Sequence, residues 1–193
     1  MRVSRVSLQF TAFMMLFLFM ACTKPTTNFS SIWKDETYQV QPKKVLVINA
    51  YKNPVNRKFF EDGFATALKD RKIDAVVSYT VMPDMPDPVL DEKVAIVIQA
   101  KEVGADTVLI NKPLETTRKD TTISTGIPVW KTSINTRTDV YDMKTYKLIM
   151  SVSAEKQLQK GKPYTDQIQS YTKDLVSMMS HTGSFGKIVS PQL

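Results

Sequence analysis

Three observations predict an α/β fold with a mixed sheet. Short continuous apolar runs alternate with amphipathic helical segments from residue 43 to residue 111. Two alternating strands then bracket a short polar turn. A last amphipathic segment closes the pattern near residue 181. The predicted order is β-α-β-α-β-β-β-α, a three-layer-like mixed sheet with a parallel first part, an antiparallel hairpin and a C-terminal helix. The α/β domain is placed over residues 43–182.

The first strand is "KVLVINA", Lys44 to Ala50, an apolar run of the kind covered on both faces. A helix follows in "NPVNRKFFEDGFATALKDRK", with Asn53 before Pro54, or else Asn56, as its cap. Phe60, Phe64, Ala67 and Leu68 form its apolar stripe, which leaves Glu61 and Asp62 on a solvated face. "IDAVVSYT", residues 73–80, is the second strand, and "MPDMPDP" is a rigid loop. Asp87-Pro88 opens a second helix with Asp91 and Glu92 in its first turn. Its expected stripe is Leu90, Val94, Val97 and Ile98, and Gly104 ends it. "ADTVLIN", residues 105–111, is a third buried strand.

From Trp130 the even positions read Trp, Thr, Ile, Thr, Thr, Val and the odd ones are polar, so this strand has one wetter face. After "DMKTY", Leu148, Met150, Val152 and Ala154 alternate in the same way, which completes an antiparallel hairpin. The final helix is expected from about Asp166 to His181, with Asp166 and Gln169 as a capping box and Ile168, Tyr171, Leu175 and Met179 as its core stripe. Residues 183–193 are expected to be a flexible tail.

The N-terminus carries an address. Arg2 and Arg5 precede an apolar run from Phe10 to Met20. That run spans about 16 Å as a helix, too short for a bilayer core of about 30 Å. A basic start, a short apolar segment and a small residue before a break describe a secretory signal peptide, residues 1–21. Leu18-Phe19-Met20-Ala21-Cys22 resembles the lipobox of bacterial lipoproteins. That resemblance implies cleavage before Cys22 and a diacylglyceryl group on its thiol. Two or three acyl chains, at about 0.8 kcal/mol per methylene, anchor stably where one does not. Thr23 in place of aspartate implies, by the sorting rule of that family, export to the outer membrane. Residues 22–42 are expected to be a lipidated tether, about 25 Å end to end if flexible, with Trp33 and Tyr38 packing on the domain edge or contacting a partner.

Composition excludes several classes. Cys22 is the single cysteine, so the lipidated chain has neither a disulfide framework nor a cysteine nucleophile. The formal charge is +7, and +5 once Arg2 and Arg5 depart with the signal. The basic residues are scattered, which argues against nucleic acid. The turn "AYKNPVNR" has no glycine to wrap a pyrophosphate, and there is no G-x-S-x-G. One histidine, His181, and no free thiol make a protein zinc site a poor fit. Glu61, Asp62, Glu102, Asp106 and Glu115 are the carboxylates that could pair across a cleft, but Asp106 sits at the strand entrance, the wrong end for an α/β active site. No catalytic residue, cofactor or metal is assigned, and the chain is read as a non-enzyme.

The segment "NKPLETTRKDTTISTG", residues 111–126, is long for a connection, and its threonines suit strand extensions. Lys112, Arg118, Lys119 and the adjacent Trp130 are the candidate partner contacts. The lipobox, "KKVLVINA", "FFEDGFATAL", "AKEVGADTVLI" and "TDVYDMKTYKLIMS" together resemble a group of small bacterial envelope lipoproteins over roughly residues 43–180. The group includes the curli secretion lipoprotein, the penicillin-binding-protein activator lipoproteins and the amino-terminal domain of the Tol-system periplasmic protein. The resemblance implies a lipid-anchored adaptor or assembly factor in the bacterial cell envelope, on the outer membrane facing the periplasm, working through an envelope protein partner. The alternative is a periplasmic module binding a small ligand or glycan at the strand ends near Tyr51 and Asn111.

Overall fold

The computed structural model describes residues 27–38, 41–83, 93–114, 118–122 and 128–183. The signal segment, Cys22, Asp87-Pro88, Leu90, Asp91, Glu92, Glu115 and residues 184–193 lie outside the described residues. In chain order the elements are β1 (Thr27–Lys34), β2 (Lys44–Asn49), α1 (Pro54–Lys69), β3 (Asp74–Val77), α2 (Ser78–Val81), α3 (Lys93–Glu102), β4 (Thr107–Pro113), β5 (Arg118–Thr122), β6 (Pro128–Asp142), β7 (Leu148–Gln157) and α4 (Tyr164–His181). Six strands form one mixed sheet in the order β1-β7-β6-β4-β2-β3, and β5 pairs with the start of β6. The β3-β2-β4 part is parallel, while β4-β6-β7-β1 is antiparallel throughout.

Two apolar clusters lie on opposite faces of this sheet. On one, α1 and α4 bring Phe60, Phe64, Leu68, Ile168, Tyr171, Leu175 and Met179 onto Val45, Val47, Leu109, Val140, Met150 and Val152. Each of these large side chains contributes about 1.5–3 kcal/mol by leaving water. On the other, Ile96 and Ala100 of α3 cover Leu46, Ile48, Val108 and Ile110, which belong to β2 and β4. The second helical layer is therefore partial. Among the described residues no element covers the β6-β7-β1 half of that face.

Local rules set most of the boundaries. Asn53 caps α1, its side-chain oxygen accepting the N–H groups of Val55 and Asn56, with Pro54 in the first turn. Gly104 adopts φ +67 after α3, the left-handed conformation that ends a helix without a Cβ penalty. Asp142 closes the β6–β7 turn by accepting the N–H and hydroxyl of Thr145 at 2.8 and 2.6 Å. Asp106 ties the start of β2 to β4 by accepting the Lys43 N–H at 2.9 Å.

Five expectations are corrected. The stretch 22–42, expected to be a tether, contains edge strand β1, paired with β7 from Thr27 onward. A register shift between Phe29 and Ser31 breaks the two-residue alternation that would have marked this strand. The strand expected over residues 73–80 stops at Val77 and turns into α2, because the Glu61 carboxylate takes the Tyr79 N–H and the Ser78 hydroxyl. The stripe of α3 is Ile96 and Ala100, whereas Val94 and Ile98 face solvent. "VAIVI" is apolar on every side, so periodicity selects no face there. The capping box of α4 does not form. Pro163 precedes the helix, and Gln167 instead accepts the Gln159 N–H at 2.6 Å and donates to the carbonyl oxygens of Gln159 and Lys162. The added β5, within the long connection, and β1 and α2 replace the expected element order.

Two predictions follow from packing and from the turn. A Cβ on Gly63 would stand 2.7 Å from Thr172 Oγ1 and 3.2 Å from its Cγ2, where α1 meets α4. Gly63→Ala should lower unfolding free energy in urea by about 1–3 kcal/mol, and adding Thr172→Ala should restore most of the loss. Burial pushes the Asp142 carboxyl up, but the Thr145 hydroxyl and N–H, the Tyr38 hydroxyl and the Lys144 N–H outweigh it and hold it below the ordinary 3.8. A depressed carboxyl stabilises the fold above its unfolded value and loses that contribution as pH falls through the folded value. Melting temperature should therefore fall below about pH 4, and Asp142→Asn should show a shallower acid slope.

Candidate functional site

Buried polar groups in an α/β protein are the first place to look for chemistry. The largest set surrounds Glu61, and it corrects the expectation that Glu61 lies on a solvated face, since its side chain is fully buried. Oε1 accepts from the Asn49 N–H at 3.0 Å, Arg57 Nε at 3.0 Å and Ser78 Oγ at 2.6 Å, and Oε2 accepts from the Tyr79 N–H at 2.9 Å. Arg57 spends its remaining donors on Ser78 Oγ and on the carbonyl oxygens of Met82 and Pro83. Both Glu61 oxygens and all three Arg57 nitrogens are hydrogen-bonded within the protein. The arrangement is a lock between α1, β2 and α2. The neighbouring pair Lys58–Asp62, at 2.7 Å, is the solvated one.

The strand ends near Tyr51 and Asn111 are filled in the same way. The Asn111 amide donates to Thr136 and Thr138 at 2.9 and 2.7 Å and its oxygen accepts from Asn49 at 2.8 Å. Thr136 shares a 2.6 Å hydrogen bond with the Tyr171 hydroxyl. The Tyr51 ring stacks on Phe60 at 4.9 Å, and burial, with a smaller effect from Tyr164, pushes its phenol up to about 12. The Asn49, Asn111, Thr136, Thr138 and Tyr171 side chains here hydrogen-bond one another.

The uncovered half of the sheet is different. Asp139 on β6 is buried at its base. Its Oδ1 accepts Arg137 Nε at 2.8 Å and Ser151 Oγ at 2.7 Å, and Lys112 Nζ lies 3.9 Å from Oδ2. Arg137 Nε also reaches Ser151 Oγ at 3.1 Å. Arg137 and Lys112 are direct partners across β4 and β6, so two cations share one carboxylate. Like charges opposite one another are unfavourable, and Asp139 offsets only one of them. Ser151 pairs with Trp33 of β1, and Ser153 pairs with both Arg137 and Ser31. Paired residues point to the same side, so Trp33, about half exposed, stands on the face that carries Arg137.

Of the residues proposed from sequence, Lys112 belongs to this face. In register Arg118 pairs with Thr132, Lys119 with Lys131 and Asp120 with Trp130. Arg118, Lys119 and Trp130 thus lie on the β5–β6 ladder, and Lys112 lies on β4. Arg137, Asp139 and Ser151 were missed. The signal was present in the polar odd positions of β6, but cross-strand pairing alone reveals which lysine and which tryptophan join them. Among the described residues no three His, Cys, Asp or Glu side chains are grouped to hold a metal ion, and no helix is long and apolar enough to cross a membrane.

This architecture defines a class, a small mixed α/β domain with the fold of bacterial lipoproteins. The lipoprotein GNA1162 from Neisseria meningitidis superposes with a TM-score of 0.50 at 14% identity, over 72% of this chain and 99% of that one. The PelC dodecamer from Paraburkholderia phytofirmans superposes with a TM-score of 0.51 at 14% identity, over 76% of this chain and 94% of that one. Likeness at this identity shows the fold alone. No protein-family model matches the sequence, and no curated protein matches it.

The buried pair makes its own prediction. Glu61→Gln leaves Arg57 buried without a counter-charge and should cost about 3–5 kcal/mol in urea unfolding. The joint replacement Arg57→Met with Glu61→Leu should cost less than Glu61→Gln alone.

Proposed function

We propose that this chain is a lipid-anchored, non-enzymatic adaptor or assembly factor of the bacterial cell envelope, held at Cys22 and working through contacts near the membrane. The observation that carries the reading is the position of β1. The sheet starts at Thr27, five residues after Cys22. Five Cα–Cα steps reach at most about 18 Å, so the domain lies close against the bilayer and not at the end of a long tether. Anchoring at that distance raises the local concentration of the domain for a partner at the same surface. The envelope location and lipoprotein character agree with the likeness to GNA1162.

The same fold occurs in a dodecamer, PelC. A second copy of this chain is accordingly the first partner to seek, with the β5–β6 hairpin, bearing Arg118, Lys119 and Trp130, and Lys112 beside it as the contacting residues. The narrower kinship with the curli secretion, penicillin-binding-protein activator and Tol-system lipoproteins, and placement on the outer membrane facing the periplasm, belong to this proposal.

Labelled palmitate should enter the native protein, and Cys22→Ala should abolish both labelling and membrane fractionation. Unlabelled native protein, or a variant that still sediments with membranes, would end the anchored reading. Mass measurement on detergent-solubilised protein tests self-association, and crosslinking in intact cells identifies any other envelope partner.

A further inference from the structure

We infer that the uncovered β6-β7-β1 face is a binding site for an acidic glycan, with the Arg137 guanidinium taking a sugar carboxylate and the Trp33 ring stacking on the sugar. The inference rests on the reading of this chain as a binding protein of the envelope, but not on its lipid anchor.

The Arg137 guanidinium is anchored at one of its three nitrogens. Its Nε is held by Asp139 Oδ1 at 2.8 Å and Ser151 Oγ at 3.1 Å. Asp139 is itself fixed by Ser151 and its side chain is almost fully buried. The two terminal nitrogens make no hydrogen bond among the described residues, and the side chain is about half exposed. The guanidinium is thus held at Nε while about half of its side chain is exposed, and a guanidinium with free terminal N–H groups recognises a carboxylate. Lys112 beside it adds a second cation, and among the described residues Asp139 is the one carboxylate paired with both, which leaves this set with a net positive charge.

The rest of the face selects the kind of carboxylate. Trp33 on β1 and Asp139 on β6 are separated by β7, two strand spacings or about 10 Å. Between them the floor is Ser151 and Ser153, with Ser31 beside Trp33. Small hydroxyl residues flanked by an indole on one side and a guanidinium on the other make a trough. Its floor is polar, unlike the apolar surface that α3 covers on β2 and β4. A helix or apolar protein surface laid here would strand those hydroxyls and charges away from water. A sugar brings its own hydroxyls to them and presents a C–H-rich ring face to the indole. Glu155 and Asn28, paired at the far end of the face, bound the trough and disfavour a longer run of negative charge.

The test uses full-length protein in detergent micelles, with fluorescent oligogalacturonate as the probe. Its methyl ester and poly-glutamate serve as competitors. Oligogalacturonate should bind saturably, and the neutral ester should compete at least about tenfold less well. Arg137→Lys, which keeps the charge but loses the fork, and Trp33→Ala should each weaken binding about tenfold. Lys160→Gln with Lys162→Gln, exposed lysines on another part of the surface, should leave it unchanged. If Arg137→Lys fails to fold by thermal melt, Trp33→Ala on the exposed edge carries the test alone. Equal binding of acid and ester, equal loss with the distant lysines, or no binding at all would overturn the site. Poly-glutamate competing better than the glycan, with Trp33→Ala silent, would overturn it in favour of an acidic polypeptide. None of these outcomes depends on palmitate entering Cys22, so the two readings fail separately.

Discussion

The fold depends on one buried carboxylate. Glu61 sits where β2 ends, where α1 completes its second turn and where β3 turns into α2. It accepts hydrogen bonds from all three places. A buried charge is tolerated only when it is paired and fully hydrogen-bonded, and the requirement runs in both directions. Glu61 needs Arg57, Ser78 and the two backbone N–H groups, and those groups lose their partner without it. The Arg57 bonds to the Met82 and Pro83 carbonyls extend the lock beyond α2. The Asn49–Asn111–Thr136–Tyr171 chain continues it through the core to α4.

That lock has a functional consequence. In an open α/β sheet, the carboxyl ends of parallel strands are the usual ligand site. Here they are filled by side chains that bond one another. Among the described residues, no helix covers the antiparallel half of the sheet on the face that α3 packs against. Its cations stand on a buried aspartate, so their positions are set by the fold and not by long flexible stems. Edge strand β1 brings Trp33 to the same face and connects within a few residues to Cys22.

Much of the fold was legible before any coordinates. The apolar runs of β2 and β4, the stripe of α1, the Gly104 stop and the α4 stripe follow from periods of 2 and 3.6 residues, which depend on neighbours in sequence. The hairpin of β6 and β7 was visible for the same reason. β1 was not, because its bulge interrupts the alternation on which strand reading relies. α3 showed no face, because its residues are apolar all round. Arg57–Glu61 and Lys58–Asp62 are consecutive pairs of identical spacing, and only a rotation of about 100° about the helix axis separates the buried from the solvated one.

What the sequence determined by itself was the local and the covalent: which segments coil or extend, where caps and stops fall, and a cysteine placed after an apolar leader in the pattern of a lipobox. What only tertiary structure decided was which of two equivalent ion pairs is buried, which half of the sheet the described helices leave uncovered, and which lysine, arginine and tryptophan share it. Those outcomes are set by strand order and register, and bonds such as Ser78 to Glu61 or Lys112 to Asp139 join residues far apart in the chain. No pattern read along a single strand or helix contains that pairing.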